Sequence, residues 1–183
     1  MKRKMMFACA IVFLVAVPVL ASDIAQSWQT LFPFYPAEIR QQVQQVEAAV
    51  ADFQIANRAN TYDLEQLELL ERKDWGEGSF DTMTSEYRSA VYNFDQSKKK
   101  FAATKPKAIG LVNRIEAAMT PLRNELKQLE KSNLASNRKR QLTDMTKAFD
   151  LWHAVQVGRL SVDDSSRENK VTVARTIARG LTK

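Results

Sequence analysis

Cysteine is nearly missing from this chain. The one present, Cys9, sits in the first ten residues. A chain without a second thiol forms no internal disulfide, so its fold rests on packing alone. Histidine is as scarce: His153 is the only one. Glu-x-x-His, His-Glu-x-x-His and Cys-x-x-Cys-His are all absent, which removes the usual di-iron, zinc-protease and covalent-haem patterns. Gly-x-Ser-x-Gly and the P-loop are missing too, and with them the common signatures of acyl and phosphoryl transfer. There is no Asn-x-Ser/Thr sequon. Only five glycines and five prolines punctuate 183 residues. Alternating apolar and polar runs of strand type do not occur, and no internal repeat stands out.

The chain opens with Lys2, Arg3 and Lys4, then an unbroken apolar run from Phe7 to Val17, then Pro18 and the small-residue stretch Val19-Leu20-Ala21. That is the pattern of a secretory signal peptide over 1–21. The run is short for a spanning helix, which needs ~20 apolar residues; retention as an anchor is the alternative. Export without disulfides or sequons points to a bacterial periplasm or a secreted protein. Residues 22–35 form an aromatic, proline-containing segment, and 36–183 are expected to make one helical domain, with no transmembrane segment after the signal.

The formal charge of +6 is unevenly placed. Residues 22–86 hold 12 acidic and 4 basic side chains, whereas residues 87–183 hold 9 and 20. Such asymmetry suggests attraction within the fold, between chains, or to an anionic partner.

Helical periodicity dominates the rest. Ile39, Val43, Val46, Val50 and Phe53 recur at steps of four and three, and the row continues through Asn57, Asn60, Leu64 and Leu67. This predicts one helix from Pro36 to Glu71, roughly 54 Å long at ~1.5 Å per residue. Ala49 and Ala56 widen the stripe beyond a two-stranded seam. Asn57 falls at a core position of the repeat, where a buried Asn can set register or oligomeric state; the other reading is that Asn57 and Asn60 mark a point where the bundle opens to water. The turn at 73–79 carries two glycines. A second helix then shows Phe80, Met83, Tyr87, Val91 or Ala90, Phe94 and Phe101. Lys105-Pro106 predicts a tight reversal, with a continuous kinked helix as the alternative because the stripe keeps its phase to Ala108 and Val112. Pro121 predicts a kink near 117–120. A turn over 132–137 precedes a helix from Asn137 to Val157, with Leu142, Met145, Phe149, Trp152 and Val155 or Gln156 inward and Gly158 as its end. A last helix follows the capping-box patterns at Ser161 and Ser165, with Val171, Ala174, Ile177 and Leu181 inward. The expected fold is therefore all-α: an elongated antiparallel helical bundle with coiled-coil-like packing, four to five helices in all.

No catalytic, metal or cofactor residues are predicted. Glu65, Glu68 and Glu71 read as solvated acids. Two groups are candidates for contact. Lys98, Lys99, Lys100, Lys105 and Lys107 around the expected reversal, with Arg138, Lys139 and Arg140 in the first turn of a helix, form a candidate partner- or anion-binding set. Positive charge in a first turn opposes the helix dipole, so those three basic residues call for a compensating partner, which the acidic half could supply. Trp28, Phe32, Phe34 and Tyr35 form a candidate docking segment, or else the lid of the bundle. The functional expectation is a non-enzymatic interaction module: an adaptor, chaperone-like binder or envelope-assembly subunit, with a protein partner or a second copy as its target. The alternatives are a binder of anionic lipid or cell-wall polymer, and a small-molecule-binding helical enzyme or sensor. Nucleic acid is not expected, since a binding motif and aromatic interleaving are lacking.

Overall fold

A computed structural model describes residues 27–132, 136–162 and 165–180, with the side chains of 165–170 left out. The expected signal peptide, the start of the aromatic segment, the middle of the 132–137 turn and Leu181 lie outside the described residues. Every regular element described is helical. The five α-helices are α1 (Ala37–Arg72), α2 (Phe80–Ala118), α3 (Thr120–Lys131), α4 (Asn137–Leu160) and α5 (Ser165–Ala178), preceded by a helical turn at 27–31 and a 3-10 turn at Phe32–Phe34. Contacts among the described residues gather into two compact units. One contains the described residues up to Gln44 with Asn113–Gln156, the other Gln45–Val112 with the described residues from Val157.

In the second unit α1 and α2 pack antiparallel, as the pairs Phe53–Phe101, Asn60–Ser97 and Lys73–Glu86 record. Val46, Val50, Phe53, Leu64 and Leu67 are buried on α1, as the stripe predicts, and Tyr87, Phe94 and Phe101 on α2. The α5 residues Val171, Ala174 and Ala178 close the cluster formed by Leu64, Leu67, Tyr87 and Phe94. Small side chains let α5 approach closely. Arg88 Nε donates to Ala178 O at 2.8 Å and Arg175 pairs with Asp95 at 2.8 Å, fixing α5 along α2. Gly180, at φ +69°, then ends the helix in the left-handed region, its N–H donating to Ile177 O.

The polar break in the α1 stripe is closed to water. Asn60 is 1% exposed, and its Nδ2 donates to Ser97 Oγ at 3.2 Å. Ser97 Oγ in turn donates to Phe94 O at 3.0 Å. The expectation of an opening to water is therefore corrected for Asn60, which is the buried member of the two; Asn57, the position expected to set register, is half-buried.

The turn after α1 is built as its residues dictate. Gly78 takes φ +80°, a conformation that favours glycine. Ser79 precedes α2, and its carbonyl accepts the first helical bond from Met83 N–H at 2.8 Å. Trp75 Nε1 donates back to Leu70 O at 3.1 Å, with Lys73 Nζ 4.2 Å above the indole.

Pro106 does not reverse the chain. α2 runs unbroken through it to Ala118, which overturns the hairpin expectation and bears out the continuous helix. Phe101, Ala108, Val112 and Ile115 are all buried on one row, and a reversal would expose half of that row. Burying side chains of this kind is worth ~1.5–3 kcal/mol each, against ~3 kcal/mol for one interior proline. Thr104 Oγ1 also donates to Lys100 O and Phe101 O. Pro106 is exposed, so Pro106→Ala should restore a helical hydrogen bond and raise stability by ~1–2 kcal/mol in urea unfolding. A loss of stability would show that the ring fits its surroundings.

Pro121 acts as expected. α2 stops at Ala118, Met119 stands between the helices and α3 begins at Thr120, with the proline in the first turn where no N–H is needed. Gly158 does not end α4, which continues to Leu160. Leu160 is buried, and that burial holds the extra turn in place. At the ambiguous position Gln156 is the inward residue, while Val155 is exposed.

Candidate functional site

The first unit contains the aromatic segment, and its sequence explains how it is held. Trp28 lies 5.1 Å from Trp152 of α4 with the rings nearly parallel, and its ring also meets Phe32 and Tyr35. Tyr35 is buried, and its hydroxyl donates to Met145 O of α4. Burial pushes the Tyr35 phenol well above its usual pKa; the Asp150 carboxylate adds to this and a hydrogen bond from the Phe149 backbone opposes it. Trp28 and Tyr35 thus secure the segment to α4, and Phe32 packs on Trp28 within it. The fourth, Phe34, is 58% exposed.

Phe34 and Leu31 form one wall of a shallow groove. The other wall comes from α4: Asn137, Arg138, Arg140, Gln141 and Asp144 at one end, then Lys147, Ala148 and Leu151 beside Ser27 and Thr30 at the other. Arg140, Asp144, Lys147 and Leu151 follow at steps of four, three and four, so they share one face of α4. The groove brings together two residue groups that are far apart in sequence, the aromatic segment and the basic start of α4.

The basic residues there differ in role. Arg138 forks onto Glu125 of α3, Nε to Oε1 at 2.8 Å and Nη2 to Oε2 at 2.9 Å. The guanidinium holds the Glu125 carboxyl below its usual range, and the carboxylate raises Arg138. The partner that compensates this charge is therefore a neighbour on α3 rather than the acidic half of the chain. Lys139 N–H donates to Ser136 Oγ at 3.1 Å, so Ser136 caps α4. Arg140, Asp144 and Lys147 are exposed, which leaves two cations and one carboxylate along the groove.

The lysine set is placed differently. Lys98, Lys99, Lys100, Lys105 and Lys107 all lie on α2 in the second unit. Because Pro106 leaves the helix continuous, they stay within its middle part and are distributed around it. Lys98 and Lys105 share one face, and Lys100 and Lys107 the opposite one. Lys105 Nζ lies 5.6 Å from the centre of the Phe101 ring.

His153 stacks on Phe149 at 5.7 Å, and its Nε2 is 3.6 Å from Glu116 Oε2. Arg123 engages both neighbouring carboxylates, Glu116 and Asp150, and its guanidinium lies over the Phe149 ring at 5.8 Å. Its pKa is raised, chiefly by the hydrogen bond to Glu116. With both acids held by an arginine, this cluster reads as a structural clamp between helices. Among the described residues no group of three or more His, Cys, Asp or Glu could hold a metal ion, and no helix is long and apolar enough to cross a membrane.

Sequence reasoning missed Asp144, Lys147 and Leu151. The four-three-four spacing from Arg140 to Leu151 was the available signal, but nothing local shows that the segment ending in Phe34 lies beside it.

Comparison with protein-family models, with curated proteins and with solved structures finds no match.

Proposed function

We propose that this chain is an exported, non-enzymatic helical interaction module whose groove along α4 binds another protein. In this reading an apolar side chain of the partner lies on Phe34 and Leu31, and an acidic one meets Arg140 and Lys147. The observation that carries it is the position of Phe34. Its neighbours Trp28 and Tyr35 are tied to α4, yet Phe34 stands out beside Arg140. An aromatic ring next to an arginine on a firmly held segment is the composition that concentrates binding energy at interfaces. Export rests on the signal pattern of residues 1–21, and the periplasm on the lack of thiols and sequons.

The test replaces Phe34 with a photo-crosslinking phenylalanine analogue in the full chain, in cells that make it. A single discrete adduct is expected, falling roughly tenfold in Arg140→Glu/Lys147→Glu, since unpaired like charge is strongly disfavoured at an interface. No adduct, or an adduct indifferent to the charge reversal, would sink this reading. The anionic-lipid alternative gains no support from α2, where the lysines face opposite ways. Vesicle binding abolished by neutralising Lys98, Lys99 and Lys100 would favour it instead.

A further inference from the structure

The second unit carries an apolar row that its own fold leaves outside. Phe53, Asn60 and Leu67 mark the inward face of α1 and are at most 1% exposed. Ile55, Tyr62 and Leu69 each follow two residues later, about 200° further round the helix, so they lie on the side turned from the buried stripe, where Tyr62 and Leu69 also border a groove that α2 lines with Ser89, Ala90 and Asn93. They are 66%, 60% and 56% exposed. Their spacing of seven is the repeat that keeps a row of side chains facing a second helix. Ala48, Ala51 and Ala59 are exposed on the same side, which widens the row and lets another backbone come close. A helix that is apolar on two opposite faces needs a partner on each.

We infer that the outer face of α1 is a self-association surface, on which a second copy of this chain docks antiparallel about a twofold axis at Tyr62. Charge complementarity selects this occupant and this direction. With the axis at Tyr62, Ile55 lies opposite the partner's Leu69, and Leu69 opposite the partner's Ile55. Arg58 and Glu65 border the row on one edge, and both are exposed. Neither is in an ion pair among the described residues. In an antiparallel pair each edge meets its own copy, running the other way. Arg58, four residues before the axis, then faces the partner's Glu65, three residues after it, and the contact occurs twice by symmetry. A parallel pair would set the same edge against the opposite one, whose nearest side chains, Ala59 and Gln66, carry no charge. Only the antiparallel arrangement satisfies the row and its edge together. This surface is separate from the groove on α4, and each stands or falls alone.

Sedimentation velocity of the full chain over a concentration series should show a monomer–dimer equilibrium that weakens with salt. Ile55→Glu/Leu69→Glu should leave a monomer with an unchanged circular dichroism spectrum and unfolding midpoint, because both positions are exposed. Arg58→Glu alone and Glu65→Arg alone should each weaken association tenfold or more, and the two together should restore it. In a Cys9→Ser chain, Tyr62→Cys should form a disulfide-linked dimer on mild oxidation, as expected of a residue on the axis. A full chain that is monomeric at every concentration overturns the inference. So does a charge swap that fails to rescue, or an oxidised Tyr62→Cys chain that stays uncrosslinked.

Discussion

Phe149→Ala should cost ~3–5 kcal/mol, a large part of the ~5–15 kcal/mol that a domain of this size has to spare. Phe149 is fully buried on α4. Its ring meets Trp152 at 5.6 Å and His153 at 5.7 Å, and Arg123 lies over it. Alanine would leave a cavity whose walls are three helical side chains already fixed by other contacts, so little collapse is available to fill it. The loss should also reach the groove, because Trp152 is the surface on which Trp28 stacks. Chemical unfolding should show a fall in midpoint with little change in slope. Phe34→Ala provides the contrast. It removes a ring of the same size from the same unit, but an exposed one, and should stay within ~0.5 kcal/mol of the parent. If the two variants were equally stable, the assignment of inside and outside in this unit would be wrong.

Asn60→Asp should produce the second large effect, and one with a pH signature. The two side chains are nearly equal in shape, but aspartate places an ionisable group where only 1% of the residue is exposed. The neighbour that Asn60 donates to, Ser97 Oγ, offers a hydroxyl already given to Phe94 O. Burial disfavours the carboxylate, so the folded-state pKa rises above the unfolded value of ~3.9. A group with a raised folded pKa is harmless below its unfolded pKa and destabilises progressively as pH rises toward the folded one. The variant should match the parent below about pH 4 and lose roughly 3–4 kcal/mol by pH 7, if the shift reaches the ~3 units typical of fully buried acids. Paired urea titrations of both proteins at the two pH values check this. A pH-independent difference would place Asn60 in contact with water.

The α1 stripe was legible because one rule produces it: inward residues recur at three and four, and nearly all of those from Ile39 to Leu67 are buried. The turn at 73–79 was legible too, since Gly78 takes the left-handed conformation that favours glycine. Pro106 and Gly158 were misread for a shared reason. Each has a local preference against continuing a helix, and each lies next to residues whose burial demands continuation, Phe101 and Ala108 for one and Leu160 for the other. Local cost is visible in a sequence, whereas the packing energy that outweighs it depends on what lies opposite.

The two surfaces show the same division. Ile55, Tyr62 and Leu69 stand at spacing seven in the sequence, yet a helix with apolar residues on two faces does not say which face its own chain will cover. Burial of Phe53, Asn60 and Leu67 against α2 decides it. Likewise Phe34, Arg138 and Arg140 could be singled out separately by their chemistry. Only folding brings Phe34 beside both, and only folding supplies Glu125 to occupy one of those arginines and leave the other exposed. Periodicity is a property of neighbours along the chain and is written in the chain. Which face meets which, and which charge is already answered, depends on residues a hundred positions away, and only the assembled helices determine it.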